Sequence, residues 1–510
     1  MEHEGLEAKA RPVRPGRPPR REEQLKTELE ASMFMHRTYP LAGAALLMAG
    51  FVGTANAGSV NVFNHGVKQL GTAYAGAAAT AEDVSSAAFN PATLSRLEGQ
   101  QISGGAFHRS TGGNYRINID RDVSGSATGS LSHDEFLPYA FYSDQIGENT
   151  TIGLGIYSPF QALTQYSTSS RSRYHALTTE YSAININPMV AFSPTNTLSV
   201  GFGAIVQYFE GNLTSEIDMG YLIAQGIGAE AVADSRIVNG HFDVYNQAEG
   251  DDLNYAFNAG ILWQPASDTR VGISYRSRTN HVLDGNVRRP LRSNYRNSLD
   301  NYLIDFDISE PERGEIIDFA LSPAGAGRGA FESRFTVPET LSLGVNLELS
   351  RAWHVMAGAT LTRWSQMENI ELTFSDAGEV TLPEPIDGTD VNREGMTQRL
   401  SWSDTWQYSI GTSYRLNEQW TLRGGYGIDP SPVSGSGRNL RLPYNDRTWY
   451  TIGASYQFSP ALSIDGAYAF IDTSPSSVNN ERDPASGHRA NGRTGNMESH
   501  TLAIQANYRF

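Results

Sequence analysis

The chain has 510 residues, no cysteine and a formal net charge of −16. The negative charge argues against nucleic acid as a main partner, because phosphate binding needs a basic surface. The lack of cysteine excludes disulfides, thiolate metal sites and cysteine nucleophiles. The mean hydropathy of −0.39 excludes a bundle of membrane-spanning helices, and 50 glycines, 24 tyrosines and 21 phenylalanines favour β-structure.

The N-terminal segment predicts export. Residues 1–34 are rich in Arg, Pro and Glu, so we expect them to be disordered or to precede the true translation start. Within residues 35–57, the apolar run Leu41–Gly53 is too short to cross a bilayer as a helix, and the small-residue site Ala55-Asn56-Ala57 follows it. This order is typical of a secretory signal peptide with a mature start at Gly58, and a buried core helix is the alternative.

Residues 58–99 show no strand pattern. They contain Gly71-Thr-Ala-Tyr-Ala-Gly76, a predicted helix over Ala75–Ala81, and Asn90-Pro91-Ala92, where the proline forces an extended or turn conformation. A segment of about 42 residues is too small to fold around its own core. Its small residues suit close packing, so it is predicted to be a hatch inside a barrel, with a periplasmic tail as the alternative.

From about residue 100, apolar and polar residues alternate to the end of the chain, as in Leu341–Leu349 and Thr501–Phe510. The runs of 9–12 residues match the length of a tilted membrane-spanning strand, and aromatic residues gather at strand ends. Residues 100–510 are therefore predicted to form an all-β fold, a 14-stranded antiparallel transmembrane β-barrel. The predicted strands are 100–110, 134–143, 150–160, 180–193, 197–211, 253–263, 269–279, 334–349, 353–374, 398–415, 419–428, 447–458, 461–470 and 499–510.

Connections between these strands alternate between short turns and long loops, which fits a barrel whose two chain ends both face the periplasm. The predicted long loops are 111–133, 161–179, 212–252, 280–333, 375–397, 429–446 and 471–498. The loops 212–252 and 280–333 carry large apolar residues. Exposed apolar patches usually mark binding sites. We expect an outer groove there, with local packing of the loops as the alternative. Its candidate residues are Leu222, Ile223, Ile227, Leu303, Ile304 and Phe306.

An ordered series of short motifs gives the chain a family resemblance. The matching stretches are Gly71-x-Ala-Tyr-Ala-Gly76, Asn90-Pro91-Ala92, Val337–Gly344, Arg363-Trp-Ser365, Asp404-Thr-Trp406, Leu422–Tyr426, Pro430-Ser-Pro432 and Asn445–Trp449. Over about Gly58–Phe510 the sequence resembles the FadL family of outer-membrane transporters for hydrophobic compounds. The resemblance implies a 14-stranded barrel, an N-terminal hatch carrying the Asn-Pro-Ala turn, and a location in the outer membrane of a Gram-negative cell.

Three further sites are expected along a transport route. Pro159 in the third strand lacks the N–H that a sheet needs, so Ser158, Pro159 and Phe160 predict a gap in the wall with the hatch turn Asn90–Ala92 beside it. The family similarly has a kink there for lateral release of substrate. Val60, Val62 and Phe63 are candidates for a deeper apolar pocket. Arg276, Arg363 and Arg423 are candidate anchors for a carboxylate, with ordinary ion pairs as the alternative.

The partners expected from this sequence are a lipophilic small molecule, outer-membrane lipid and lipopolysaccharide, and the barrel assembly machinery through the strand ending at Phe510. No catalytic motif is found, so no enzyme, catalytic residue, cofactor or metal site is expected. The expected function is passive uptake of long-chain fatty acids by a monomer. Uptake of aromatic hydrocarbons is the first alternative and a general porin the second, while an adhesin barrel would lack apolar loops.

Overall fold

The structure, a computed structural model, describes residues 65–120, 123–220, 242–305, 307–321, 327–374, 395–433, 437–482 and 489–510. Its strands form one antiparallel sheet that closes on itself, because the first strand pairs along its length with the last. The strands within the described ranges are β1 (Gln100–Ile119), β2 (Thr128–Gly147), β3 (Thr150–Gln165), β4 (Thr178–Thr195), β5 (Leu198–Ile217), β6 (Val244–Ala266), β7 (Thr269–Arg276), β8 (Thr279–Arg289), β9 (Gly327–Val337), β10 (Thr340–Ser350), β11 (Trp353–Thr362), β12 (Asn369–Phe374), β13 (Gly395–Arg399), β14 (Thr405–Arg415), β15 (Trp420–Asp429), β16 (Arg447–Gln457), β17 (Leu462–Thr473), β18 (Ser477–Arg482) and β19 (Arg489–Arg509).

These strands make 14 spans of the barrel wall. In five cases, two strands that follow each other in the chain are successive segments of one span, because they are hydrogen-bonded to strands of the same neighbouring spans. These are β7 with β8, β9 with β10, β11 with β12, β13 with β14, and β17 with β18. We number the spans 1 to 14 in chain order, so that β7 and β8 are span 7 and β19 is span 14. The predicted 14-stranded antiparallel barrel is confirmed, and each predicted strand overlaps one span.

The strands are longer than predicted, because the polarity of their two faces changes along each span. On β5 the outward side chains are exposed and apolar up to Tyr208, whereas the next outward residue is Glu210 and the inward Phe209 is fully buried. The strand therefore continues beyond the membrane with an apolar lumen face and a polar outer face. Much of the predicted loop 111–133 is likewise strand, since β1 ends at Ile119 and β2 begins at Thr128.

Exposed aromatic side chains border the apolar outer band at both ends, as the girdles of a membrane barrel do. Trp263, Trp353, Trp420 and Tyr508 lie at the end with short turns, and Tyr208, Tyr255, Tyr426 and Tyr450 lie towards the other end. No helix in the described parts of the chain is long and apolar enough to cross a lipid bilayer.

Residues 65–98 lie inside the barrel as a hatch with little regular structure. A short helix, α1 (Val67–Leu70), is followed by consecutive turns and by two 3₁₀ helices, Val84–Ala88 and Pro91–Arg96. The predicted helix over Ala75–Ala81 is wrong: left-handed φ angles at Ala73, Tyr74 and Gly76 break the chain into turns there. The predicted signal peptide and the residues before it lie outside the described residues.

Four further helical segments lie in the described connections between strands. Two helices, α2 (Tyr295–Asp305) and α3 (Glu312–Leu321), lie in the long connection between β8 and β9. Short 3₁₀ helices follow β3 at Arg171–Tyr174 and β11 at Trp364–Gln366.

Candidate functional site

The barrel wall has a window between β2 and β3. Their pairing ends at the pair Ala140–Ile156. We call the end of the barrel with the long loops the upper end. Above this pair, β2 remains paired with β1 alone and β3 remains paired with β4 alone. A bridge between Ser126 and Ser170, with the Ser126 N–H donating to the Ser169 carbonyl at 2.8 Å, rejoins the two connections above the gap. The opening is therefore bounded below by paired strands and above by this bridge.

A proline stands on each edge of the window. Pro159 belongs to a bulge in β3, because Tyr157 opposes Asn185 while Phe160 opposes Ala183, so β3 holds one extra residue. Pro138 on β2 lies just above the last β2–β3 pair. Neither proline has a backbone N–H that could donate a hydrogen bond to the strand across the window. The sequence prediction placed the gap at Ser158–Phe160 and missed Pro138, although a proline within the alternating stretch 134–143 was a usable signal.

Past the bulge, β3 is buried on both faces. Phe160 is fully buried, and burial then continues without alternation up to Thr164. A strand in a closed wall would bury every second residue only. The upper half of β3 therefore leans into the lumen, where other elements cover its outward side.

A small pocket lies at the window. Its cavity of about 30 Å³ has room for a water molecule or two, not for a large ligand. It lies between both window edges and an extracellular loop that folds inward, and its lining includes Leu131, His133, Leu163, Leu442, Tyr444 and Met497. A hydrophobic ligand could occupy this position only if the inward loop or the upper half of β3 moves.

We call residues 437–446 the inward loop, because most of its side chains are buried within the barrel mouth. The side chain of Arg438 holds the conformation of the loop by donating hydrogen bonds to the carbonyls of Tyr444 (2.9 Å) and Val433 (3.0 Å) and to Asn445 Oδ1 (3.1 Å). The Tyr166 hydroxyl on the β3 side donates to the Leu440 carbonyl at 2.9 Å. The loop is thus tied to the wall beside the window.

An apolar cluster fills the extracellular half of the lumen, and we call it the upper lumen cluster. It reaches from Phe160 on span 3 to residues of the inward loop. Ring centroids lie 4.5 Å apart for Tyr181–Phe335 and 4.9 Å apart for Phe209–Phe335, so the aromatic side chains are in contact. Its largest members are Phe160, Tyr181, Phe209, Phe331, Phe335, Trp364, Trp402 and Tyr444. This surface can accept acyl chains or aromatic rings.

The hatch lies below this cluster against a belt of lumen-facing glycines, one on each of spans 5 to 12. At each of these glycines a Cβ atom would collide with or closely approach the hatch backbone, or in one case the Asn90 side chain. The glycine belt is Gly201, Gly260, Gly272, Gly344, Gly358, Gly411, Gly425 and Gly453. Such close approach on eight spans fixes the hatch as a wedge across most of the lumen.

Asn90 secures the hatch turn. Its fully buried side chain accepts from the Ala92 N–H at 3.0 Å and donates to the carbonyls of Ala78 at 2.6 Å and Ile261 at 3.0 Å. Asn90–Ala92 therefore lies against spans 5 and 6. This corrects the expectation that the turn lies beside Ser158–Phe160. Among the described hatch residues, His65 lies next to the start of the bulge, since its ring centroid is 4.6 Å from that of Tyr157.

A charged cluster fixes the opposite side of the hatch. Lys68 Nζ lies 3.2 Å from Asp83 and 3.8 Å from Asp465, while Glu82 pairs with Arg423 on span 11. Burial would raise the pKa of Glu82, but Arg423 and then Lys68 outweigh it and lower that pKa to about 2. The carboxylate of Glu82 is thus ionised at neutral pH and latches the hatch to the wall.

The three candidate anchors differ in their surroundings. Arg363 is half exposed and pairs with Glu339 (3.2 Å) and Asp404 (3.1 Å), and Arg423 is engaged in the hatch latch. Arg276 ends β7 on the lumen side, level with Asn258, and its Nη2 atom is buried without a hydrogen-bond partner in the described structure.

The other predicted residues fall in two places. Val60, Val62, Phe63, Leu222, Ile223, Ile227 and Phe306 lie outside the described residues. Leu303 on α2 is fully buried in a loop core with Met219, Phe242 and Leu299, whereas Ile304 is 46% exposed. Local packing, the alternative weighed from the sequence, thus accounts for Leu303. Within the described ranges, no group of His, Asp or Glu side chains is placed to hold a metal ion.

Comparison with known proteins agrees with this architecture. The family model described as outer membrane protein transport protein (OMPP1/FadL/TodX) matches residues 48–510. The chain belongs to this family. Its members are outer-membrane transporters of hydrophobic compounds, not enzymes, which confirms the resemblance and the predicted location in the outer membrane.

Individual relatives of this FadL-family chain are distant. It is 24% identical to the long-chain fatty acid transport protein of Escherichia coli O6:H1, over 71% of this chain and 75% of that protein. It is 26% identical to outer membrane protein P1 of Haemophilus influenzae, over 76% and 80%. A Pseudomonas aeruginosa FadL homologue matches in fold, with a TM-score of 0.74, 20% identity and coverage of 89% and 100%. The Ralstonia pickettii toluene transporter TbuX matches with a TM-score of 0.57, 19% identity and coverage of 88% and 99%.

Proposed function

We propose that this chain is a passive channel for the uptake of long-chain fatty acids, which leave the barrel sideways through the window into the membrane. The observation that carries the proposal is the window itself, with an apolar pocket between its edges. That pocket shares Leu442 and Tyr444 with the upper lumen cluster. The similarity to the long-chain fatty acid transport protein of Escherichia coli supports the choice of substrate.

The route has three steps. A substrate first meets apolar side chains at the extracellular loops, where Ile304 is exposed. It then displaces aromatic side chains of the upper lumen cluster, since the pocket at the window is too small to hold it unchanged. The hatch blocks the way to the periplasm through its contacts with the glycine belt, so the remaining exit is the window.

Uptake of aromatic hydrocarbons is the second candidate. The aromatic lining of the upper lumen cluster suits ring stacking as well as it suits an acyl chain. The fold similarity to the toluene transporter TbuX is compatible with this choice. An aromatic hydrocarbon would require no anchor for a carboxylate.

Closing the window tests lateral release. Deleting Pro159 removes the one extra residue of β3, and Pro138→Val restores an N–H on the facing edge. We expect the double variant to fold as a heat-modifiable barrel and to lose uptake of labelled oleate and toluene in cells that lack their own transporter.

Pro188→Val is the matched control, because Pro188 opposes Leu154 below the window. It should transport like the wild type. Normal uptake by the window-closing variant would refute lateral release. If the wild type took up neither compound although it is folded in the outer membrane, the proposal would fail for both substrates.

A further inference from the structure

We propose that Arg173 is a gating residue, whose side chain holds three extracellular connections together above the window and has to release them before a substrate can pass. This inference rests on the proposed lateral uptake and adds the contact that opens. Arg173 lies in the 3₁₀ helix Arg171–Tyr174 of the connection between β3 and β4, and 4% of its surface is exposed. We call its contacts with the neighbouring connections the clasp.

The clasp joins the β3–β4 connection to the connection between β1 and β2. Arg173 Nη1 donates a hydrogen bond to the Ser124 carbonyl at 2.5 Å, and Nη2 donates to the Ser124 hydroxyl at 3.3 Å. Beside this contact, the Arg171 N–H donates to the Ser126 carbonyl at 3.0 Å. These hydrogen bonds and the bridge between Ser126 and Ser170 close the window at its upper end.

The clasp also ties both connections to the wall at spans 5 and 6. Arg173 Nε lies 2.9 Å from Glu216 Oε2 and 3.0 Å from Asp243 Oδ2. The Tyr174 hydroxyl donates to Asp243 Oδ1 at 2.9 Å and accepts from Arg173 Nη2 at 2.7 Å. Glu216 lies at the upper end of β5, and Asp243 directly precedes β6. Because β5 and β6 are paired up to these ends, the clasp is anchored to a continuous part of the wall.

The clasp lies close enough to solvent to open. The side chains of Glu216 and Asp243 are 21% and 11% exposed, so water can solvate both carboxylates once Arg173 moves away. The lumen pair Arg109–Glu135 differs, since its side chains are 1% and 0% exposed. Separating such a pair would leave buried charges without partners. The clasp is therefore suited to repeated opening, whereas the lumen pair is suited to permanent closure.

The clasp restrains the segment that a substrate has to displace. The pocket at the window is lined by Leu163, Thr164 and Gln165 near the upper end of β3, and Arg173 holds the connection that follows them. The Tyr166 hydroxyl in the same stretch donates to the Leu440 carbonyl of the inward loop at 2.9 Å. A movement of this stretch is therefore transmitted to the loop on the other side of the pocket. Release of the clasp would let both sides of the pocket move apart.

A reversible covalent lock tests whether the clasp has to open. Ser126→Cys with Ser170→Cys introduces two thiols into a chain that has no cysteine. Residues paired in neighbouring strands lie about 4.8 Å apart, which is within the Cα separation of disulfides. In cells that lack their own transporter, oxidation should lower uptake of labelled oleate by about tenfold or more, because the open state is no longer accessible. Reduction with dithiothreitol should restore uptake.

Ser193→Cys with Ser199→Cys is the matched control. The two hydroxyls lie 3.0 Å apart between β4 and β5 near the end of the barrel with short turns, so oxidation there should leave uptake unchanged. Equal uptake by the oxidised and reduced clasp variants, with the disulfide verified by mass spectrometry, would overturn the gating role and leave the proposed function standing. If wild type and reduced variants took up neither oleate nor toluene, the proposed function would fail and the gating role with it.

A second variant loosens the clasp. Arg173→Met keeps an unbranched apolar stem and removes the donors, so amides of residues 160–173 should exchange with deuterium about tenfold or more faster. Oleate uptake should rise above the wild-type level. Arg334→Met is the control, since Arg334 is an exposed arginine of β9 that pairs with Glu332 at 3.1 Å, and it should change neither quantity.

Two results with Arg173→Met would overturn the inference, provided that the variant is still a heat-modifiable barrel. Unchanged exchange in residues 160–173 would show that the contacts of Arg173 do not hold this stretch. Faster exchange with reduced uptake would make Arg173 a structural residue, because a gate that opens more readily cannot slow transport.

Discussion

At the scale of single residues, the glycine belt sets how the hatch is held. A Cβ at Gly272 would overlap the Ala78 carbonyl oxygen, which is backbone and cannot swing away. The turns opposite carry Ala73 and Tyr74 at left-handed φ angles of 52° and 60°. Strained backbone of this kind persists only where its surroundings fix it. The belt and the strained turns therefore depend on each other.

Gly272→Ala should loosen the hatch without unfolding the barrel. Overpacking of this kind lowers stability by about 1–3 kcal/mol, so amides of residues 67–79 should exchange about five- to 150-fold faster with deuterium. Gly466→Ala is the control, because Gly466 has open space around it. Equal exchange in both variants would show that the belt does not hold the hatch.

The Glu82–Arg423 latch gives the hatch a dependence on pH. The pKa of Glu82 is about 2 in the folded protein, against an ordinary value of 4.5. A depressed carboxyl pKa contributes stability above pH 4.5, and this contribution is lost as the pH falls from 4.5 towards 2. The hatch should therefore open more readily across this acid range.

A thiol probe can follow this opening, because the chain has no cysteine. Ser86 is fully buried in the hatch, so Ser86→Cys should react faster with a dithiodipyridine reagent as the pH falls from 4.5 to 2. Arg423→Gln on the same background should react faster at neutral pH and change less in acid. Identical pH profiles with and without Arg423 would contradict the latch.

At the scale of elements, the sequence predicted the spans well and their length poorly. Alternation with an apolar outer face identifies strands inside the membrane, as at Leu341–Leu349, where lipid selects the outward residues. Beyond Tyr208 the outer face meets water and the apolar residues turn inward, so that rule no longer applies. Pro159 could be predicted because proline removes a ladder hydrogen bond. The glycine belt could not, because it depends on which hatch residues come to lie opposite each span.

The inward loop likewise could not be predicted, since some of the hydrogen bonds that hold it join residues far apart in the sequence, such as Tyr166 and Leu440. Arg438 donates to two carbonyls within 3.0 Å and to Asn445 Oδ1 at 3.1 Å. Arg438→Met keeps an unbranched apolar stem and removes these donors, so the loop should loosen by about 2 kcal/mol or more. Faster deuterium exchange at residues 437–446, with unchanged exchange in the hatch, is the expected result. Unchanged exchange in the loop would show that the hydrogen bonds of Arg438 do not hold it.

At the scale of the whole molecule, the lumen is closed at two levels in series. The hatch closes the membrane half against the glycine belt, and the upper lumen cluster with the inward loop closes the extracellular half. The window lies at the side of the upper closure, above the pair Ala140–Ile156. Under the proposed lateral release, a hydrophobic molecule in the upper half would reach the membrane without opening the lower closure, and the outer membrane would stay sealed to polar solutes.

Two closures in series make a distinct prediction for ion conductance. Removing residues 65–98 should leave the barrel with the upper closure in place, and replacing residues 437–446 by a short glycine-serine linker should leave it with the hatch. Each single variant should therefore show little or no conductance in planar bilayers, like the wild type. The double variant should open a water-filled lumen, since barrels of more than about eight strands are wider than their side chains can fill. Large conductance through the barrel that lacks only residues 65–98 would show that the upper lumen cluster does not seal the mouth. In that case the hatch alone would block the flow of ions through the lumen beside the window.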